Sequence, residues 1–157
     1  MKKKLLYHGI LLAGVLAILL PAVAGCTSAP TQPSAPAAAY TVKTASKADL
    51  GAYLVDARGM TLYYLTRDTA DKSSASAIVI ALWPVFYVAN IAVPPDVNAS
   101  DFGTITRDDG KMQTTYKGWP LYYYIRDLKA GDTNGQGIGG IWFVVNPETT
   151  PSAPNGS

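Results

Sequence analysis

Displaced by 59 positions, this chain of 157 residues matches itself without a gap. Gly51 falls on Gly110, Gly59 on Gly118, Leu62-Tyr63-Tyr64 on Leu121-Tyr122-Tyr123, Arg67-Asp68 on Arg126-Asp127, and Trp83 on Trp142. These are eight identities over the 33 positions 51–83, three of them aromatic, more than composition alone produces. Each unit reads as a strand (52–56; 112–116), a turn at Arg58-Gly59 or Lys117-Gly118, and a second strand (61–66; 120–125). A long loop follows the Asp, and a third strand starts near Trp83 or Trp142. Glycine after a basic residue suits a hairpin turn needing positive φ. Pro120 is tolerated at a strand start, where no ladder donor is required. Neither unit alone buries enough surface, so the two apolar faces are expected to pack together. The expectation is an all-β fold: a small antiparallel domain over residues 40–147, sandwich or barrel-like, from two pseudo-symmetric three-stranded repeats at about 51–88 and 110–147. The stretch 73–82 reads as loop or one helical turn, and its counterpart 133–140 as an extended glycine loop.

The flanks are of a different kind. Lys2, Lys3 and Lys4 precede an apolar run from Leu5 to Leu20, and Pro21 then breaks it ahead of Val23-Ala24-Gly25-Cys26. A charged start, an apolar stretch and small residues before a Cys make residues 1–25 a signal peptide. The site resembles the lipobox of prokaryotic lipoproteins, which implies cleavage before Cys26 and lipid on its sulfur. An uncleaved transmembrane anchor is the alternative. Either arrangement places the body outside the cytoplasm, tethered to a membrane and facing the periplasm or cell exterior. Residues 26–39 carry Pro30, Pro33 and Pro36 and form an extended tether. Residues 148–157 read as a disordered tail. Asn98 and Asn155 head glycosylation sequons.

Charge and residue inventory exclude several function classes. Without residues 1–25, ten Lys/Arg face eleven Asp/Glu, so the formal charge moves from +2 to −1. That leaves no electrostatic footprint for nucleic acid. His8 is the only His and Cys26 the only Cys. Disulfides, Cys/His zinc sites, covalent haem attachment and His- or Cys-dependent nucleophiles are therefore excluded downstream of Cys26. No cofactor and no enzyme activity are expected.

Three constellations remain. In a strand, Tyr63 and Leu65 face opposite to Tyr64, and Tyr122 and Tyr124 opposite to Tyr123, so one face enters the core and the other presents an aromatic. Asp68 and Asp127 end these strands. They are read either as acceptors of N–H groups in the following turn, with pKa values lowered by those bonds, or as paired acids lining a sugar or small-ligand groove. Asp132, Asn134 and Gln136 alternate like calcium ligands, but the twelfth position from Asp132 is Phe143 in place of a bidentate Glu. The reading set beside calcium is a glycine-rich turn bonding its own backbone. Nine Tyr, three Trp and three Phe follow Cys26, enough to fill a small core or to stack on a sugar or partner.

Tyr122-Tyr123-Tyr124-Ile125-Arg126-Asp127 fits the pattern Tyr-x-aromatic-x-x-Asp, and Tyr63-Tyr64-Leu65-Thr66-Arg67-Asp68 fits with Leu at the aromatic place. With Thr106-Arg107-Asp108-Asp109-Gly110, Tyr116-Lys117-Gly118-Trp119-Pro120-Leu121-Tyr122 and the stretch from Gly131 to Gly137, the chain resembles the lipoproteins called "secreted repeat of unknown function". The resemblance covers about residues 50–147 and implies a secreted or lipid-anchored tandem repeat. Many members carry Cys-x-x-x-Cys-Ala-x-x-Trp-Pro, but Ala75 and Val79 stand at the cysteine places here. The expected function is a non-enzymatic binding or structural module of the cell envelope, its partners the membrane through Cys26 and an envelope protein or glycan. The alternative is a small-ligand or glycan-binding protein built on the paired Asp/Tyr motifs, with Trp83 and Trp142 beside them.

Overall fold

The computed structural model describes residues 39–152; the signal segment, the tether with Cys26 up to residue 38, and Asn155 lie outside them. In chain order the elements are β1 (Val42–Lys47), β2 (Gly51–Asp56), β3 (Tyr63–Leu65), α1 (Ala77–Leu82), β4 (Phe102–Thr106), β5 (Met112–Tyr116), β6 (Trp119–Pro120) and β7 (Trp142–Val144). All strand pairing is antiparallel: β1 with β2, β3 with β7, and β5 between β4 and β6. The domain is nearly all-β and built from two repeats. Each repeat opens with a strand that the internal match missed, β1 or β4, so the units begin before Gly51 and Gly110.

The hairpin turns explain why. In the second repeat Tyr116 pairs with Trp119 across a two-residue loop, Lys117-Gly118, and both residues have positive φ (48° and 83°). That is the geometry of a two-residue hairpin turn. In the first repeat Asp56 bonds Met60 across three residues, and Gly59 takes the left-handed position (φ 86°). The extra residue makes the structural offset 60 before the turn and 59 after it. Leu62 N–H donates to Leu54 C=O, and Leu121 N–H to Thr114 C=O. Gly51 therefore does not superpose on Gly110, whereas Tyr63, Asp68 and Trp83 do correspond to Tyr122, Asp127 and Trp142.

The repeats exchange their third strands instead of packing face to face. In β3–β7, Tyr63 of the first repeat lies opposite Val144 of the second. The symmetry-related bridge joins Tyr122 to Val85. At the pseudo-twofold axis Tyr63 and Tyr122 exchange two N–H···O=C bonds of 2.9 Å. Each middle strand thus depends on the other repeat to satisfy its backbone groups.

Both faces of this shared sheet are covered, not one. Tyr53, Val55, Tyr63, Leu65, Trp83, Tyr122, Trp142 and Val144 form one core, roofed by Val79 and Ile80 of α1 and by Ile138 and Ile141 of the glycine loop. Leu54, Leu62, Phe86, Tyr116, Leu121 and Val145 form a second on the opposite face, where Tyr64 and Tyr123 are half-buried instead of displayed. Period-two alternation feeds both. Helix α1 and the 3-10 turn Ile138–Gly140 occupy the stretches read as helical turn and glycine loop. Ala75 is buried and Val79 packs on the core, so both positions are filled by apolar contacts. The segment beyond residue 147 is described as far as Ser152, and Pro151 is buried.

Candidate functional site

The two tyrosine–aspartate motifs are interlocked. The Tyr63 hydroxyl donates to Oδ2 of Asp127 at 2.7 Å, and the Tyr122 hydroxyl donates to Oδ2 of Asp68 at the same distance. Each carboxylate holds its own loop with the remaining oxygen. Asp68 Oδ1 accepts from Ser74 N–H (2.6 Å) and Ser74 Oγ (2.8 Å), and Asp127 Oδ1 accepts from Asn134 N–H (2.9 Å). Both aspartates are buried, at 3 % and 7 % exposure, each in its own turn. The turn reading of these residues therefore matches the geometry. What the sequence did not show is the second acceptor role, toward the phenol of the opposite repeat.

Burial sets the electrostatics. It pushes the Asp68 and Asp127 carboxyls above their ordinary values, outweighing the N–H and phenol bonds that pull them down. The expected lowering is thus reversed. Tyr63 and Tyr122 are raised as well, first by burial and then by the adjacent carboxylates. Ionising either phenol would place a second negative charge beside a buried one, so the hydroxyls remain donors.

The tryptophans complete the symmetry. Trp83 and Trp142 stack with centroids 3.8 Å apart and planes 3° apart, and Tyr63 and Tyr122 meet them edge-on at 5.4 and 5.2 Å. Tyr124, the aromatic of its motif, stacks on Trp83 of the other repeat at 4.3 Å. Gly135 crosses this cluster, and a Cβ there would lie 2.8 Å from both the Tyr63 and the Trp83 rings. The motif residues are core, which the aromatic count left open.

Around the buried pair lies a network that sequence reasoning missed. Ser73 Oγ lies 2.6 Å from the Tyr122 hydroxyl and accepts from Nη1 of Arg107 at 2.6 Å. Arg107 also donates to Gln113 Oε1 (2.7 Å) and Ala75 C=O (2.9 Å), and its side chain is only 6 % exposed. Asp56 accepts the Tyr123 hydroxyl at 3.0 Å while capping its turn through Arg58 and Met60 N–H. The only signal in the sequence was the place of Arg107 within the stretch Thr106–Gly110 that carries the family resemblance. The calcium candidates take the turn role: Asp132 accepts from Leu128 and Lys129 N–H, Asn134 donates to Arg126 C=O, and Gln136 accepts from Val144 N–H. Among the described residues, His, Cys, Asp and Glu form no cluster of three suited to a metal ion. Asn98 is exposed and caps the 3-10 turn Ala99–Asp101 through Ser100.

Fold and site together define a tandem-repeat β-protein whose repeats are locked by exchanged strands and crossed tyrosine–aspartate bonds. The chain belongs to the family described as secreted repeat of unknown function, which matches residues 44–86 and 103–146, one match per structural repeat. The family description is consistent with export. No curated protein and no solved structure is similar to the chain.

Proposed function

We propose that the protein is an exported lipoprotein, anchored through lipid on Cys26, and that its folded part is a non-enzymatic binding or structural module of the cell envelope. One observation carries the second half of this reading. The acids and phenols best placed for chemistry are engaged with one another inside the core, each Asp in its own turn, with no substrate face left to them. A groove for glycans built from those pairs would need them accessible. The anchor follows from the charged, apolar and small-residue order that ends at Cys26. Fractionation of cells producing the Cys26→Ser variant tests it. The wild-type chain is expected in the membrane fraction, and the variant is expected either soluble or unprocessed. A variant recovered both processed and membrane-bound would overturn the anchor.

A further inference from the structure

Four large apolar side chains stand in solvent on connected segments: Ile78 (82 % exposed), Leu82 (52 %), Ile125 (51 %) and Leu128 (85 %). Ile78 and Leu82 lie one turn apart on α1, and Ile125 N–H donates to Leu82 C=O at 3.0 Å. Ile125 lies in the turn closed by Asp127 N–H on Tyr124 C=O, and Leu128 follows it. The first repeat makes the same turn, Asp68 N–H on Leu65 C=O, with Thr66 and Thr69 at the corresponding positions. The turn itself therefore does not call for apolar residues. Leu128 is also held in place, since Asp132 accepts from its N–H and from that of Lys129. A cluster of apolar side chains fixed in water marks a contact surface.

Charge and chain connection identify what meets it. Between Ile125 and Lys129 the only acid, Asp127, is turned into the core toward Tyr63, so the segment shows solvent Ile125, Arg126, Leu128 and Lys129. The loop then rests on the β2–β3 turn, where Gly131 N–H donates to Gly59 C=O at 3.1 Å. That turn adds Arg58, whose side chain is 73 % exposed, and Lys43, whose Nζ donates to Ala57 C=O. The carboxylates here, Asp56 and Asp132, are buried or half-buried and accept from Arg58 and the loop N–H groups. The exposed Asp96 is engaged with Thr44 Oγ1 of β1 at 2.8 Å. Toward the N-terminal end of α1, beside Ala77 and Ile80, Lys72 and Arg107 balance Asp108 and Asp109. The excess of cations thus gathers around Leu128. The chain enters the domain at this same turn, since Val42 pairs with Asp56. The polar counterpart Thr69 belongs to the loop that rests on Gly118, across the pseudo-twofold axis, through Asp71 N–H (2.7 Å). Twelve residues separate Cys26 from Ala39 and reach at most about 45 Å, so the entry end is the part of the domain that the tether keeps nearest the bilayer. An apolar tip ringed by cations, at the tethered end of a membrane-anchored domain, fits an anionic bilayer surface.

We propose that this end of the domain docks on an anionic bilayer surface, with Leu128 and Ile125 entering the interface beside Leu82 and with Arg126, Lys129 and Arg58 on lipid phosphates. The proposal rests on the reading of Cys26 as the membrane anchor and adds a second contact to it. The test reconstitutes the full-length lipoprotein in vesicles of equal parts phosphatidylglycerol and phosphatidylcholine. Leu128→Cys and, separately, Thr69→Cys carry a thiol-linked fluorophore, and its quenching by spin-labelled lipid is read. The dye is expected to be quenched at residue 128 and to stay in water at residue 69. Arg126→Gln combined with Lys129→Gln should remove most of that quenching, because each cation at such a surface shifts the docked-to-free ratio by about fivefold. Vesicles of phosphatidylcholine alone should have the same effect. Equal lipid quenching at the two positions, or quenching at 128 that ignores both lipid charge and the double substitution, would overturn the docking. Shielding of residue 128 from aqueous iodide without lipid quenching would overturn the lipid assignment in favour of another protein chain. Dye attached to Cys26 of the wild-type chain would overturn the lipid anchor alone, and residue 128 is then read in the same way in the Cys26→Ser background.

Discussion

Replacing Tyr122 by Phe removes one oxygen and keeps the ring against Trp142. That oxygen donates to Asp68 at 2.7 Å and lies 2.6 Å from Ser73 Oγ, inside a site where Asp68 is 3 % exposed. A hydrogen bond to a charged, buried acceptor contributes about 1.5–3 kcal/mol, and the acceptor here gains no water in exchange. At about 3–5 °C per kcal/mol for a domain of this size, Tm should fall by about 5–15 °C at pH 7, read by thermal denaturation followed by circular dichroism. The pH dependence gives a second reading. The phenol bond favours ionised Asp68, so the loss is full above the folded pKa and shrinks as pH falls through it. A Tm within 1 °C of wild type at pH 7, or a deficit that grows on acidification, would refute the reasoning.

Other perturbations reach separate parts of the account. Asp68→Ala should destabilise more than Asp68→Asn, which keeps an acceptor for Ser74, by about 1–3 kcal/mol in urea unfolding. Because burial raises both carboxyls, their stabilisation is full below the unfolded value of about 4 and declines as pH rises through the raised folded values. Asp68→Asn should therefore flatten the dependence of Tm on pH between 4 and 7, and an unchanged slope would contradict it. Gly135→Ala places a methyl 2.8 Å from two aromatic rings and should cost about 1–3 kcal/mol by the same unfolding assay. Trp142→Ala removes half of the central stack and should cost about 3–5 kcal/mol, a large share of the roughly 5–15 kcal/mol that holds such a domain.

Much of this fold was legible because repetition and alternation are local. The match of Tyr63 with Tyr122 and of Trp83 with Trp142 is written in spacing, and the turn glycines follow from φ alone. The opening strands β1 and β4 were missed because Val42–Lys47 and Phe102–Thr106 share no residues at the 59-residue offset. The one-residue difference between the turns after Asp56 and Tyr116 had shifted them out of register. Strand exchange was not legible either. Two repeats with the same donors and acceptors pair equally well within or across in sequence terms, and only the third dimension decides. For the same reason each Asp was correctly placed in its own turn, while its tyrosine partner on the other repeat went unseen. Arg107 went unnoticed because a buried guanidinium looks like any surface arginine until its surroundings are known.

The crossed pairing of the two repeats is the central claim, and a double-mutant cycle measures it most directly. Tyr63→Phe and Asp127→Asn, singly and together, give the coupling across repeats; Tyr63→Phe with Asp68→Asn gives the coupling within one repeat. The 2.7 Å bond from Tyr63 to Asp127 predicts a cross-repeat coupling of at least about 1 kcal/mol, and the same-repeat pair should be additive within about 0.5 kcal/mol. Strong coupling of Tyr63 to Asp68 with additivity toward Asp127 would contradict the interlocked arrangement.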